Sequence, residues 1–365
     1  MYQNRFASNA DDTSNLLDIN HYLVLYDLKG FAEGYELRAS KNIKEVERGI
    51  LEARTDFAKL ICPIDDQFWG NENREFFSWS AVAFQLVRPE RLAFCSYLME
   101  FGFLYDDHVL ESSVDGILNT AVEALDATKP SQMIQSFSTA DLPEFQKRVL
   151  RGTEEIRANL GAKAMQLDPI CGKILLDAWK VMLTVSNSHN NRSAFGNYEE
   201  YMSWRLVDSG AIWTGKLMLF GLGVKLTEEE EKVANKVLKH CFVALILSND
   251  YFSFDKELEA AAKSGNMEED AMSNNSVWLF MHWRNIDVDA AKQLVRGLVI
   301  EAEGKFLQDR EEFLRTAPPN SDGLARFIEQ FTLLVPGNTL WAKHCLRYNK
   351  QYRTSPVEAV AVAVA

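Results

Sequence analysis

Long stretches of helical periodicity are the feature that most constrains how this chain can fold. Apolar residues recur every three or four positions with charged residues between them, which is the pattern of amphipathic helices. The clearest examples are residues 42–60, 171–187, 227–248 and 286–315. Alternating apolar and polar runs are scarce, and residues 21–31 are the only strand candidate. The sequence therefore predicts an all-α fold, a single large antiparallel helical bundle.

Turn residues mark where helices begin and where the domain ends. Pro89 starts a helix after a turn, and residues 336–338 predict a loop before a last helix over 341–352. With 365 residues, of which 47% are hydrophobic, the chain can bury a large core. We expect one domain over 1–352, followed by a tail or truncated linker at 353–365.

The charge balance limits which partners the chain can bind. It has 39 basic and 52 acidic residues, a formal net charge of −13, which argues against nucleic acids and anionic membrane surfaces. The five cysteines form no CxxC pair, so a reduced, cytoplasmic location is favoured over a disulfide framework. We expect neither a signal peptide nor a membrane span. The sequence leaves open whether the protein forms a homo-oligomer.

Two adjacent aspartates, Asp106 and Asp107, end the apolar run LMEFGFLY. Glu111 follows four residues after Asp107, which places these two acids on one helix face. Carboxylates that emerge from an apolar helix need a compensating charge, and their oxygens suit a hard cation such as Mg²⁺. A solvated helix end explains these acids equally well when they are considered alone.

The segment LSNDYFSFDKE places Asn249, Ser253 and Glu257 at a spacing of four residues. This spacing stacks an amide oxygen, a hydroxyl and a carboxylate on one helix face, all of them oxygen donors for Mg²⁺. Asn and Ser are poor choices for the middle of a helix, which favours a functional role. Lys256 lies beside Glu257 as a candidate phosphate ligand.

The segment WRLVDSGAIW contains Arg205 and Asp208, which are three residues apart and can form an ion pair. Ser209 and Gly210 follow, and a glycine between apolar helical stretches indicates a local helix break that exposes backbone carbonyls. Taken alone, these residues are equally consistent with an ordinary salt bridge and a packing glycine.

A last pair, Arg347 and Tyr348, offers a guanidinium for phosphate and a phenol, although a surface Arg and a core Tyr would look the same. In chain order, the Asp-rich segment, the Arg with an Asp three later, NDxxSxxxE and Arg-Tyr together resemble class I terpene synthases (terpene cyclases). The resemblance extends over about 90–350. PERLAFCSYLMEFGFLYDD, NNSVWLFM and GNTLWAKHCLRYN are most similar to the cyclase half of fungal chimeric terpene synthases.

The resemblance implies a helical bundle around a central active-site cavity, in which Mg²⁺, about three ions, assists ionisation of a prenyl diphosphate. A linear C20 or C25 substrate would be cyclised with release of pyrophosphate. The implied metal ligands are Asp106, Asp107, Glu111, Asn249, Ser253 and Glu257. The implied diphosphate ligands are Arg205, Lys256, Arg347 and Tyr348.

The same resemblance assigns further roles near the helix break and in the metal motif. Asp208 links to the diphosphate sensor Arg205, and Ser209 with Gly210 forms the effector that responds to ionisation. The usual DDxxD motif has an acid four residues after its first Asp, but that position is Leu110 here and the acid is Glu111. Helical spacing favours Asp107 with Glu111 as ligands, whereas the family pattern favours Asp106.

Aromatic side chains are expected to line the cavity, because aromatic faces stabilise cations. Phe103 lies one turn before Asp106, and Trp341 lies six residues before Arg347, where the family has a pocket aromatic. Further candidates are Phe77, Trp79 and Trp213.

Other functions remain as alternatives. A trans-prenyltransferase normally carries two Asp-rich motifs, whereas the second motif here is NDxxSxxxE. An all-α phosphohydrolase needs a His-Asp dipeptide, and no histidine in this chain is followed by Asp. A non-catalytic domain that binds prenyl diphosphates would be expected to have lost its metal ligands. The resemblance also implies that a C-terminal prenyltransferase domain accompanies this one in the full-length protein.

Overall fold

A computed structural model describes residues 16–25, 28–64, 70–71, 77–107, 143–187, 195–264 and 274–350. In chain order, its helices are α1 (His21–Leu25), α2 (Ile43–Leu60), α3 (Trp79–Ala83), α4 (Pro89–Tyr105), α5 (Glu144–Leu167), α6 (Pro169–Asn187), α7 (Tyr198–Asp208), α8 (Ala211–Leu222), α9 (Glu228–Ser264), α10 (Ser276–Arg284), α11 (Val288–Thr316) and α12 (Asp322–His344). Two short strands, β1 (Leu16–Asp18) and β2 (Arg38–Ser40), pair antiparallel. The predicted all-α fold is confirmed.

The apolar pattern of each helix determines where it lies in the bundle. In α2, the buried residues Val46, Ile50, Ala53 and Phe57 fall on one face, and α2 packs along α4. In contrast, α12 is buried on nearly all sides, as expected for a central helix. The long helix α9 packs mainly against α11 and α12 and also contacts α10 and α7.

The predicted strand at residues 21–31 is wrong. The side chain of Asp18 accepts a hydrogen bond from the Asn20 backbone N–H at 3.0 Å, and this turn leads directly into α1. Such a local Asp turn ends β1 and starts a helix, which the apolar composition of the segment does not reveal. The structure places the strands on either side of this segment instead.

The predicted loop at residues 336–338 is also wrong, because Pro336 lies inside α12. The side chain of Gln85 donates a hydrogen bond to the carbonyl oxygen of Leu333 at 3.0 Å, one residue after the Thr332 carbonyl that loses its helical donor at Pro336. Gly337 allows α12 to approach α3, since a Cβ there would lie 2.1 Å from the carbonyl oxygen of Val82. The last helix therefore starts before residue 341, and it ends at His344.

All five cysteines are buried free thiols, as the sequence suggested. None of the helices within the described ranges combines the length and apolar character that crossing a membrane requires.

Candidate active site

The two aspartates lie at the end of α4 and contact basic side chains from distant parts of the chain. Asp106 is 55% exposed, whereas Asp107 is 8% exposed. Arg347 forms ion pairs with both carboxylates, and its Nη2 lies 3.0 Å from Asp107 Oδ1. Lys256 Nζ lies 2.7 Å from the same Asp107 oxygen. Two acids and two cations predicted separately from the sequence thus form one cluster.

Arg347 is the buried centre of this cluster. Burial acts to lower the pKa of its guanidinium, but the carboxylates of Asp107 and Asp106 outweigh burial and raise that pKa above its usual value. The guanidinium therefore stays charged wherever the two carboxylates are ionised.

Asn249, Ser253 and Glu257 lie along α9. The Asn249 amide donates a hydrogen bond to the Tyr348 hydroxyl at 2.9 Å, and Glu257 accepts one from Asn275 at 2.9 Å. Ser253 is 3% exposed, and its hydroxyl makes no hydrogen bond of acceptable geometry within the described residues. Burial also raises the pKa of Glu257.

A divalent cation fits this triad. The buried hydroxyl of Ser253, which has no well-formed hydrogen bond among the described residues, and the buried carboxylate of Glu257 both gain from a hard cation, and all three side chains offer oxygen ligands. Across the described ranges, no three His, Cys, Asp or Glu side chains form a metal-ligating group. The amide and hydroxyl donors of the triad are therefore essential to the predicted site.

Arg205 connects the helix break to the triad. Its Nη1 lies 2.9 Å from Asp208 Oδ2, and its Nη2 lies 3.4 Å from the side-chain oxygen of Asn249. Asp250, which sequence reasoning did not assign, pairs with Arg205 at 3.2 Å and is fully buried. Asp250 also accepts hydrogen bonds from the Tyr201 hydroxyl at 2.5 Å and from the Ser276 backbone at 3.0 Å. An acid three residues after the apolar run CFVALIL was the available signal.

The predicted helix break is present between α7 and α8. Gly210 has φ +72°, a left-handed conformation that favours glycine, and a Cβ there would lie 2.9 Å from Met182 Sδ. The carbonyl oxygen of Gly210 accepts a hydrogen bond from the Thr214 backbone at 2.7 Å. Ser209 caps the C-terminus of α7, directly after its last residue, Asp208.

An aromatic wall extends from the basic cluster; it consists of Phe103, Trp341, Tyr348 and Trp79. The guanidinium carbon of Arg347 lies 5.0 Å from the centre of the Phe103 ring. Phe103 contacts Trp341 at 5.4 Å and Trp79 at 6.1 Å between ring centres, and Trp341 contacts Tyr348 at 5.5 Å. The structure thus brings together both main aromatic candidates and one of the further three.

Trp213 and Phe77 are not part of this wall among the described contacts. Trp213 packs against Trp179, with the rings tilted by 41°, in a separate group that also holds the fully buried Arg157. The guanidinium of Arg157 lies 5.0 Å from the centre of the Tyr105 ring, and its Nε and Nη1 have no hydrogen-bond partner among the residues that the structure describes. Burial lowers the pKa of Arg157. Phe77 is half-buried against the core.

Two predicted features lie outside the described residues. These are the candidate metal ligand Glu111 and the tail at 353–365. Their roles stay predictions.

The chain is similar to known proteins over most of its length. The family model for terpene synthase family 2, C-terminal metal binding, matches residues 97–305. Variediene synthase of Emericella variicolor is 33% identical, over 88% of this chain and 43% of that protein. Terpene cyclase ATR13 of Stachybotrys chlorohalonatus is 30% identical, over 96% of this chain and 89% of that protein. The chain thus spans less than half the length of variediene synthase.

The fold has close counterparts among solved structures. Aristolochene synthase from Penicillium roqueforti superposes with a TM-score of 0.60 at 19% identity, over 85% of this chain and 97% of that one. At this identity the likeness shows the fold alone.

Proposed function

Because the chain belongs to terpene synthase family 2, we propose that it is a class I terpene cyclase acting on a linear prenyl diphosphate. The reaction would ionise the allylic carbon–oxygen bond, release pyrophosphate and close rings on the hydrocarbon cation. The observation that carries the proposal is the convergence of Asp106 and Asp107 with Arg347 and Lys256, beside the triad of α9.

The basic side chains would bind and orient the diphosphate. Arg205, Lys256 and Arg347 place three cations around the predicted metal ligands, and the Tyr348 hydroxyl adds a hydrogen-bonding group. Such donors stabilise the negative charge that develops on a departing pyrophosphate. When bound, Mg²⁺ would supply further Lewis-acid stabilisation of that charge. Asp106, Asp107, Asn249, Ser253 and Glu257 would hold it, and we propose about three ions by resemblance to the family.

The aromatic wall would serve the hydrocarbon. Phe103 and Trp341 lie next to Arg347 and Tyr348, so an allylic cation formed at the diphosphate end would meet aromatic faces at once. These apolar rings also exclude water from the cation. The resemblance to the chimeric synthases supports geranylgeranyl (C20) or geranylfarnesyl (C25) diphosphate as substrate, and the free thiols fit a reducing, cytoplasmic compartment.

Incubation with Mg²⁺ and C15, C20, C25 or C30 prenyl diphosphates, followed by gas chromatography–mass spectrometry, tests the proposal. We expect a cyclic hydrocarbon or alcohol from the C20 or the C25 substrate. Longer linear diphosphates, formed only with added isopentenyl diphosphate, would instead show a prenyltransferase. Absence of any product would contradict catalysis and favour a binding role.

Substitution of the predicted ligands provides the matched control. Asn249→Ala, or Asp106→Ala combined with Asp107→Ala, should abolish turnover while circular dichroism shows an intact helical fold. Full activity in either variant would contradict the metal assignment.

A further inference from the structure

Two tryptophan indoles in the aromatic wall are oriented by hydrogen bonds of different kinds. The indole N–H of Trp341 donates to the backbone carbonyl oxygen of Asn71 at 2.9 Å. The indole N–H of Trp79 donates to the side-chain oxygen of Asn338, also at 2.9 Å. A substitution can therefore remove the acceptor of Trp79 but not that of Trp341.

Asn338 is held next to Trp79 by contacts that do not involve its own side chain. Gly337 lets the backbone of α12 approach α3 closely. Just over two turns earlier on α12, Gln330 donates a hydrogen bond to the carbonyl oxygen of Ala83 at 2.8 Å and accepts one from the Leu86 backbone at 2.8 Å. The scaffold around the Asn338 carboxamide should thus persist when the carboxamide is replaced.

The position of Trp79 connects it to the site. Its ring meets Phe103 at an angle of 72°, and Phe103 lies directly beneath the Arg347 guanidinium. Only one aromatic ring therefore separates Trp79 from the cluster assigned to the diphosphate. Trp79 also packs edge-on against Phe84 at 5.5 Å, and Asn338 is only partly buried.

We propose that Asn338 is a positioning residue that sets product specificity through Trp79. Its side-chain oxygen fixes the rotation of the indole, so that the aromatic wall presents one arrangement to the hydrocarbon cation. Attraction between a cation and a ring depends on the face that the ring presents, so a released indole would change which cation along the cyclisation path is favoured. This role of Asn338 rests on the proposed function, and it concerns which cyclic product the reaction gives.

A double-mutant cycle tests this role. Asn338→Leu removes the acceptor at similar size, and Trp79→Phe removes the donor but keeps an aromatic face. We expect Asn338→Leu to change the ratio of cyclic products by about fivefold, the factor that corresponds to one typical hydrogen bond, with a smaller change in KM. In the Trp79→Phe background, Asn338→Leu should cause no additional change.

Gln330→Met is the matched control, because it breaks one side-chain link between the same segments, leaves the close approach at Gly337 in place and touches no aromatic ring. We expect it to lower the thermal midpoint but to keep the wild-type product ratio below that midpoint. An unchanged ratio in Asn338→Leu, an equal effect of Asn338→Leu in both backgrounds, or a shifted ratio in Gln330→Met would overturn the proposal.

A binding measurement separates failure of this inference from failure of the proposed function. A prenyl tertiary amine of C20 length, protonated at neutral pH, is titrated calorimetrically with Mg²⁺ and pyrophosphate present. We expect about fivefold weaker binding by Asn338→Leu and none of that loss in the Trp79→Phe background. If the wild type cyclises prenyl diphosphates and Asn338→Leu binds the amine as tightly as the wild type does, Asn338 has no such role. If the wild type neither binds the amine nor forms product, both proposals fail.

Discussion

At the scale of single residues, the most consequential ionisable group outside the site is the carboxyl of Glu303 on α11. It is 3% exposed and accepts a hydrogen bond from the Ala32 backbone at 2.7 Å, while its own carbonyl oxygen accepts one from the Tyr35 hydroxyl at 2.9 Å. Burial raises the pKa of Glu303 to about 7. Phe31, next to Ala32, packs on Tyr251 of α9, so Glu303 anchors the N-terminal segment close to the triad.

Glu303 should make stability depend on pH. Its folded-state pKa lies above the value of 4.5 expected when unfolded, so the folded state binds the proton more tightly. The contribution of Glu303 to the free energy of unfolding should therefore be largest below pH about 4.5, and up to about 3 kcal/mol of it should be lost as the pH rises through 7. Urea titrations of Glu303→Gln should show a flatter pH profile and higher stability at pH 7.5.

Glu301 on the same helix provides the control for this prediction. It is an exposed carboxylate paired with Lys305, so Glu301→Gln should leave the fall between pH 4.5 and 7 in place. A Glu303→Gln variant that retains the wild-type fall would show that another group causes it.

The sequence could identify a functional residue only where its partners lie within a few residues of it in the chain. Asn249, Ser253 and Glu257 were visible because their spacing alone places three oxygen donors on one face. The role of Asn338 was not visible, since its hydrogen-bond partner Trp79 is 259 residues away in the chain. Pairing partners at such distances depend on how helices pack, which no local pattern determines.

At the scale of elements, helices were predicted well wherever one face is apolar. Errors arose where a residue that normally breaks a helix is tolerated because a neighbouring element packs against it. Pro336 predicted a loop, yet α12 continues through it, and Gln85 from outside the helix hydrogen-bonds to its Leu333 carbonyl oxygen. Two glycines show how closely the helices of the bundle pack. Gly49 allows α2 to approach the Ala93 carbonyl of α4, and Gly337 allows α12 to approach the Val82 carbonyl after α3.

Gly337→Ala should destabilise the protein by about 1–3 kcal/mol, because its Cβ would meet a backbone oxygen that cannot move away. Gly297→Ala on exposed α11 surface is the matched control. Nothing lies within 4 Å of a Cβ at that position, and alanine should raise stability by about 1 kcal/mol. Chemical denaturation of both variants checks this pair of predictions, and equal effects would contradict the close approach of α12 and α3.

At the scale of the whole molecule, a chain with a net charge of −13 concentrates cations where a diphosphate would bind. In the structure these cations pair with the acids that would hold metal ions, so the two sets of groups neutralise each other. Metal ions that take over the carboxylates would release Arg347 and Lys256 for phosphate oxygens. Binding of the metal and binding of the diphosphate should therefore favour each other.

Thermal unfolding should show this coupling. We expect Mg²⁺ and pyrophosphate together to raise the thermal midpoint by more than the sum of their separate effects. Lys256→Gln should reduce the excess, whereas Lys292→Gln, which removes a basic group paired with the exposed Asp255, should preserve it. Additive shifts in the wild type would contradict the coupling.

The aromatic wall is built from helices that also lead to the diphosphate cluster and from one helix that does not. This difference affects how new products can evolve. Helix α4 carries Phe103 and leads to Asp106, and α12 carries Trp341 and leads to Arg347, so a shift of either helix disturbs ionisation as well as the wall. Helix α3 contributes Trp79 and, within the described contacts, no group of the diphosphate cluster. Substitutions on α3 should therefore change the carbon skeleton at the least cost in turnover, which makes this short helix the natural place to diversify the enzyme.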